Sequence, residues 1–205
     1  MTAKGPTVVM VVGRVNQGKT ALVSTLTRNN HLSEKKDCCQ KTYRWYPENE
    51  GEWWIVDTPG FGSLSYSDEK VMTTIKRKAN GIDHVNAFIY VMNCSKRITD
   101  YEIVTLNLLE SQFEDFLKST VFVFTHGDIY PGLLTQDFIE RFPETFRDKV
   151  KEADNRVVVI DNKPKNDDNN TKIKLIQDFI KNIVEGTKVY QLESRWSSLL
   201  RFFKF

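Results

Sequence analysis

Short apolar runs rich in β-branched residues alternate along this chain with stretches of helical period. Thr7–Val12 is a continuous apolar run, too short for a helix of its own, and reads as a buried strand. Gly18–Thr27 reads as a helix. Gln40–Trp45 and Trp53–Asp57 read as two strands joined by the polar turn Pro47–Gly51, a hairpin. A helix is expected over Lys70–Ala79, a buried strand over Ala87–Met92, a helix over Asp100–Leu117 and another buried strand over Thr120–Phe124. Thr135–Ala153 is helical with a break at Pro143, where the backbone lacks an N–H. Arg156–Ile160 is the last strand, and Thr171–Val184 a helix that ends at Gly186. Strands alternating with helices predict an α/β fold: a mostly parallel central sheet, helices on both faces, and one antiparallel edge strand from the hairpin.

Two polar stretches, Asn29–Asp37 and Asn162–Asn170, carry too little apolar surface to join a core and read as surface loops. The tail differs. Val189, Leu192, Trp196, Leu199, Leu200 and Phe203 recur at helical spacing, so residues 187–205 are expected to form an amphipathic C-terminal helix appended to a domain of residues 1–186. Its polar face (Lys188, Arg195, Arg201 and Lys204 against Glu193) is only modestly basic, whereas interfacial helices are usually strongly so. Packing on the parent domain is therefore the first expectation. A partner contact and a peripheral membrane contact are the alternatives.

A formal charge of +2 over 205 residues provides no field that demands nucleic acid or an anionic lipid surface. Three cysteines, two of them the adjacent Cys38 and Cys39, make neither a disulfide framework nor a zinc site and point to a reducing compartment, a cytoplasmic location. No run of 18 apolar residues and no secretory leader pattern occurs. His31 and His84 have no ligand-spaced neighbours. Cys94 reads as a small core residue, Lys76-Arg77-Lys78 as a solvated face, and Trp45, Trp53 and Trp54 as core and hairpin pairs.

The chemistry lies in the loops. Gly13-Arg14-Val15-Asn16-Gln17-Gly18-Lys19-Thr20 satisfies G-x-x-x-x-G-K-[ST] between a strand and a helix. Backbone N–H groups at a helix N-terminus wrap nucleotide phosphates, Lys19 places a cation on them, and Thr20 offers a hydroxyl to Mg²⁺. Asp57-Thr-Pro-Gly60 ends the next strand-like run after the hairpin. In P-loop GTPases a D-x-x-G there holds Mg²⁺ through a water, and its glycine N–H senses the γ-phosphate. Gly60 is followed by Phe61, which has no group to orient a water. Thr125-His126-Gly127-Asp128 follows the Thr120–Phe124 strand, at the place of a guanine-reading loop. Asp128 can accept the paired N–H donors of guanine that adenine lacks, and His126 can stack on the base.

These motifs, with the late Asp161-Asn162-Lys163 and the segment Ser95-Lys-Arg97-Ile-Thr99-Asp-Tyr-Glu102, resemble the AIG/GIMAP GTPases, the immunity-associated, septin-like branch of P-loop GTPases. The segment is similar to that family's own box, and Cys39 through Trp45 resembles its strand before the D-x-x-G; the resemblance covers roughly residues 7–186. It implies a P-loop GTPase fold, Mg²⁺-dependent binding of GTP and GDP, slow hydrolysis by the isolated protein, and a GTP-dependent homodimer or oligomer near intracellular membranes. It adds Asp161 and Asn162 to the guanine pocket and leaves open whether Asp128 or Asp161 reads the base. A switch threonine should lie before Trp45. Ser33 falls in a loop and Thr42 in a strand, and neither is a secure candidate. Three other readings stay open: a nucleotide-gated scaffold with negligible turnover, a K⁺-assisted bacterial-type GTPase signalled by Asn16, and an ATP-using P-loop enzyme.

Overall fold

The computed structural model describes residues 5–28, 41–47, 50–82, 84–129, 135–161 and 167–186. The strands are β1 (Thr7–Val12), β2 (Thr42–Trp45), β3 (Trp53–Asp57), β4 (Ala87–Asn93), β5 (Thr120–Thr125) and β6 (Val157–Val159). The helices are α1 (Lys19–Thr27), α2 (Asp68–Gly81), α3 (Asp100–Gln112), α4 (Thr135–Glu140), α5 (Glu144–Glu152) and α6 (Asp167–Gly186). The sheet runs β2-β3-β1-β4-β5-β6. Only β2 is antiparallel; it pairs with β3 and forms the expected edge strand.

The near-continuous apolar runs follow from burial on both faces. Along β1, Val8, Met10 and Val12 join one core cluster while Val9 and Val11 join the other. The first cluster packs under α2, α3, α4 and α5; the second under α1 and α6, with Ile176, Ile180 and Ile183 of α6 on the sheet. Trp45 and Trp53 face each other across the hairpin, ring centroids 5.1 Å apart and edge-on. Lys181 of α6 bonds Glu50 in the hairpin turn at 2.8 Å.

Three sequence expectations are corrected. The helix from Asp100 ends at Gln112, not Leu117. Phe113 and Phe116 turn into the core beside Phe88, which requires Asp115 to adopt φ 45° and ends the helical register. The last helix begins at Asp167 rather than Thr171, so the end of the expected loop is helical. Asn169 is the reason: its side chain is buried and its Nδ2 donates to the Asp161 carbonyl. Lys78 is half-buried rather than solvated, and burial lowers its pKa. Pro143 does interrupt the helix, standing at the start of α5. Residues 29–40, Asn162, Lys163 and the 187–205 tail lie outside the described residues, as do Ser33, His31, Cys38 and Cys39. Among the described residues, no helix is long and apolar enough to cross a membrane.

Phe124, Phe138, Phe142 and Phe146 form an aromatic cluster that seats the short helices α4 and α5 on β5. Phe146 is fully buried. Phe146→Ala is expected to cost about 3–5 kcal/mol in chemical denaturation, against less than about 0.5 kcal/mol for Lys151→Ala on the exposed side of α5. Equal losses would show that the cluster is not what anchors these helices.

Candidate functional site

The carboxyl ends of the parallel strands converge where strand order reverses about β1, the place open α/β sheets reserve for ligands. Gly13 leaves β1 against the β4 backbone; a Cβ there would lie 2.5 Å from the Val91 carbonyl oxygen, which only glycine avoids. Gly13, Asn16 and Gly18 have φ of 138°, 58° and 90°. Such alternation turns successive N–H groups to one side, as an anion requires. The loop opens directly into α1, whose N-terminal dipole adds to it.

Lys19, the first residue of α1, is buried, and its Nζ donates to the Arg14 carbonyl at 2.7 Å. The Thr20 hydroxyl donates to Asp57 Oδ2 at 2.8 Å. Asp57 is fully buried, and among the described residues its Oδ1 has no hydrogen-bond partner. Burial raises its pKa above the usual carboxylate value; the Thr20 hydroxyl and the Lys19 charge pull against that rise. A hydroxyl and a buried carboxylate with an orphaned oxygen are hard oxygen donors, the kind of donor set that would suit a Mg²⁺ ion.

The D-x-x-G loop lies on the phosphate loop. Phe61 N–H donates to the Gly13 carbonyl at 3.2 Å, and Val15 N–H donates to the Phe61 carbonyl at 2.9 Å. Gly60 is pressed so close that a Cβ would meet Val15 N at 2.6 Å and Lys19 Nζ at 2.7 Å. The Phe61 ring is fully buried in the core. It therefore lacks a water-orienting group and is also directed away from the site. Thr42 is exposed in β2, paired with Val56, and does not reach this loop.

On the base side, Asp128 is exposed in a short 3₁₀ turn, Gly127–Ile129, and His126 is exposed at φ 60°. Gly127 N–H donates to the Ile160 carbonyl at 3.1 Å, which holds this turn beside Asp161. Thr125 is oriented otherwise than a pocket-lining residue. It is fully buried, and its hydroxyl donates to the Gln17 carbonyl at 2.8 Å, tying the base-side loop to the phosphate loop. Asn16 is exposed, with its carbonyl accepting from Lys96 Nζ at 3.1 Å.

Two side chains carry more than the sequence suggests. Gln17 is buried; its Oε1 accepts Asn93 N–H at 2.8 Å and its Nε2 reaches Glu102 Oε1 at 3.5 Å. Glu102 is also buried and receives Arg14 at 3.5 Å and the Tyr90 hydroxyl at 3.4 Å. A glutamate in the first turn of a helix is ordinary dipole chemistry, so only contacts across more than 80 residues of chain distinguish Glu102.

Burial, more than any other influence, raises the Glu102 pKa; Arg14 opposes it. The stability Glu102 contributes is thus full below its unfolded pKa and is lost as pH rises through the raised folded value. Glu102→Gln removes that titration. The stability gap between wild type and Glu102→Gln, measured by urea denaturation, should move in the variant's favour from about pH 4 to about pH 7. Movement the other way would mean that Arg14 outweighs burial.

Comparison with known proteins agrees with this geometry. The "Probable GTP-binding protein EngB" of Mycoplasma capricolum is 34% identical over 62 residues, 29% of this chain and 32% of that protein. The chain thus spans about a third of the length of that relative. The "Immune-associated nucleotide-binding protein 1" of Arabidopsis thaliana is 27% identical over 169 residues, 76% of this chain and 74% of that protein. A crystal structure of Toc33 from Arabidopsis thaliana in complex with Mg²⁺ and GMPPNP superposes with a TM-score of 0.66 at 16% identity, covering 90% of this chain and 86% of that one. That likeness gives the P-loop GTPase fold. Residues 7–196, nearly the whole chain, match the AIG1 family, and the protein belongs to it.

Proposed function

We propose that this protein binds GTP and GDP with Mg²⁺, hydrolyses GTP slowly on its own, and assembles with a second copy when GTP is bound. The observation that carries this reading is the Thr20–Asp57 pair, with a buried oxygen that has no partner among the described residues, directly beside Lys19 on a loop built for phosphate. A buried carboxylate with one oxygen unsatisfied is costly unless a cation completes it. Membership of the AIG1 family and the likeness to GTP-binding proteins support the choice of nucleotide.

In this reading Lys19 and the N–H groups of residues 13–20 neutralise the phosphates. Thr20 and Asp57 orient Mg²⁺, which supplies charge neutralisation at the transferring phosphoryl group. Gly60 presents its N–H to the γ-phosphate. Asp128 accepts the paired guanine donors, His126 stacks on the base, and Asp161 with Asn162 borders it. Slow turnover follows from Phe61: its side chain is in the core, so no residue at that position orients the attacking water. The missing group would come from a second copy. Arg97 is exposed next to Lys96, whose Nζ rests on the phosphate loop at Asn16, and is the residue we assign to act in trans. A solved structure that shares this fold comes from work showing that dimerization is important for the GTPase activity of the chloroplast translocon components atToc33 and psToc159.

Base choice is checked by competition between GDP and ADP. Asp128→Ala should weaken GDP binding by about tenfold or more, the worth of charge-assisted hydrogen bonds, while leaving ADP unaffected. Full guanine preference in the variant would move the reading of the base to Asp161. Light scattering checks assembly: a monomer with GDP and a dimer or larger species with a non-hydrolysable GTP analogue are expected. One mass in both states would leave Arg97 without a partner active site.

A further inference from the structure

Behind the phosphate loop, a chain of contacts joins the loop after Gly60 to α3. Asp68, the first residue of α2, bridges the two. Its Oδ1 accepts Gly62 N–H at 2.8 Å, and its Oδ2 accepts the Tyr101 hydroxyl. The Tyr101 ring lies under the Arg14 guanidinium, 4.4 Å from carbon to centroid. Arg14 continues to the buried Glu102 at 3.5 Å. Gly62 adopts φ +70°, and a Cβ on it would already touch both Arg14 and Tyr101 at 3.5 Å. One carboxylate thus spans the D-x-x-G loop and α3 and, through the Tyr101 ring, the phosphate loop.

Beyond Phe61, which is bonded to Gly13 and Val15 and buried in the core, little else among the described residues holds the loop. Phe61 is its last core side chain; Leu64, Ser65, Tyr66 and Ser67 are exposed, Leu64 completely. A segment with few buried contacts opens at small cost, so its order depends on the few polar anchors it has. Gly62 is two residues from Gly60, and anchoring its N–H limits where the Gly60 backbone can go.

We propose that Asp68 and Tyr101 are positioning residues that hold Gly60–Gly62 in the form that receives the terminal phosphate of a nucleoside triphosphate, so that they set the preference for tri- over diphosphate. The proposal rests on the GTP-binding reading above. A loop ordered before binding removes an entropic cost from the ligand that uses it and gives nothing to one that does not. GDP has no γ-phosphate, so the effect belongs to GTP alone.

The test uses the full chain with Tyr101→Phe, Asp68→Ala and the double variant. Each is titrated with GDP and with a non-hydrolysable GTP analogue in the presence of Mg²⁺. Tyr101→Phe removes a single oxygen atom and leaves the packing of α3 in place. Analogue affinity is expected to fall about tenfold while GDP affinity stays within about twofold. The double variant should be no weaker than Asp68→Ala, because both changes break the same link. Asp68→Asn, which keeps an acceptor for Gly62 N–H, should recover part of the loss. Equal losses for the two nucleotides would reduce Asp68 and Tyr101 to structural support, and unchanged affinities would overturn the proposal with the GTP-binding reading intact. Wild-type protein that takes up neither nucleotide would overturn both.

Discussion

The parallel pairing of β1 with β3 does not stop at the strand ends, and the site depends on that continuation. The register carries Val11 opposite Asp57, and Phe61 then inserts between the Gly13 carbonyl and the Val15 N–H. Three consequences follow from this register. Asp57 is delivered under the Thr20 hydroxyl. Gly60 is laid on the backbone of Val15 and the head of Lys19, where no side chain fits. Phe61 is drawn into the core, fully buried among apolar neighbours of α2 and α3. A polar residue at Phe61 would lose that anchor. At Phe61 the chain thus has a fixed attachment of its D-x-x-G loop in place of a polar side chain that could face the site.

Charge is concentrated at this end of the sheet. Lys19, Asp57 and Glu102 are all buried there, and the Arg14 Nε is enclosed with no partner among the described residues. Burial pushes both carboxylates upward in pKa. A fold selected for stability alone would replace such groups with packed apolar side chains. Their presence, at the strand order reversal and around a loop of left-handed residues, marks a site where stability is given up for chemistry. Gln17 and Thr125 then make the site a unit: the phosphate loop cannot shift without disturbing β4 through Asn93 or the base-side loop through Thr125.

The sheet and its order of elements were legible because burial on both faces writes continuous apolar runs, as at Thr7–Val12 and Thr120–Phe124. The phosphate loop was legible because its glycines, lysine and threonine are local in sequence and each answers one physical need. What escaped was set by distant contacts. The end of α3 depends on Phe113 and Phe116 reaching Phe88, and the start of α6 on Asn169 reaching Asp161. Thr125 has the composition of a pocket residue but turns to Gln17. Glu102 and Asp68 look like ordinary first-turn acids, and neither periodicity nor spacing says that one lies under the phosphate loop and the other between two elements.

The attachment of the D-x-x-G loop to the phosphate loop is tested most directly at Gly60. A methyl group there would meet backbone at Val15 and the amine of Lys19, so the loop must lift away. The measurement is the affinity of folded Gly60→Ala protein for GDP and for a non-hydrolysable GTP analogue, by equilibrium titration with Mg²⁺. GDP binding close to wild type with a marked loss for the analogue is the predicted result. Wild-type affinity for the analogue would contradict the account, because the loop would then have no part in sensing the terminal phosphate.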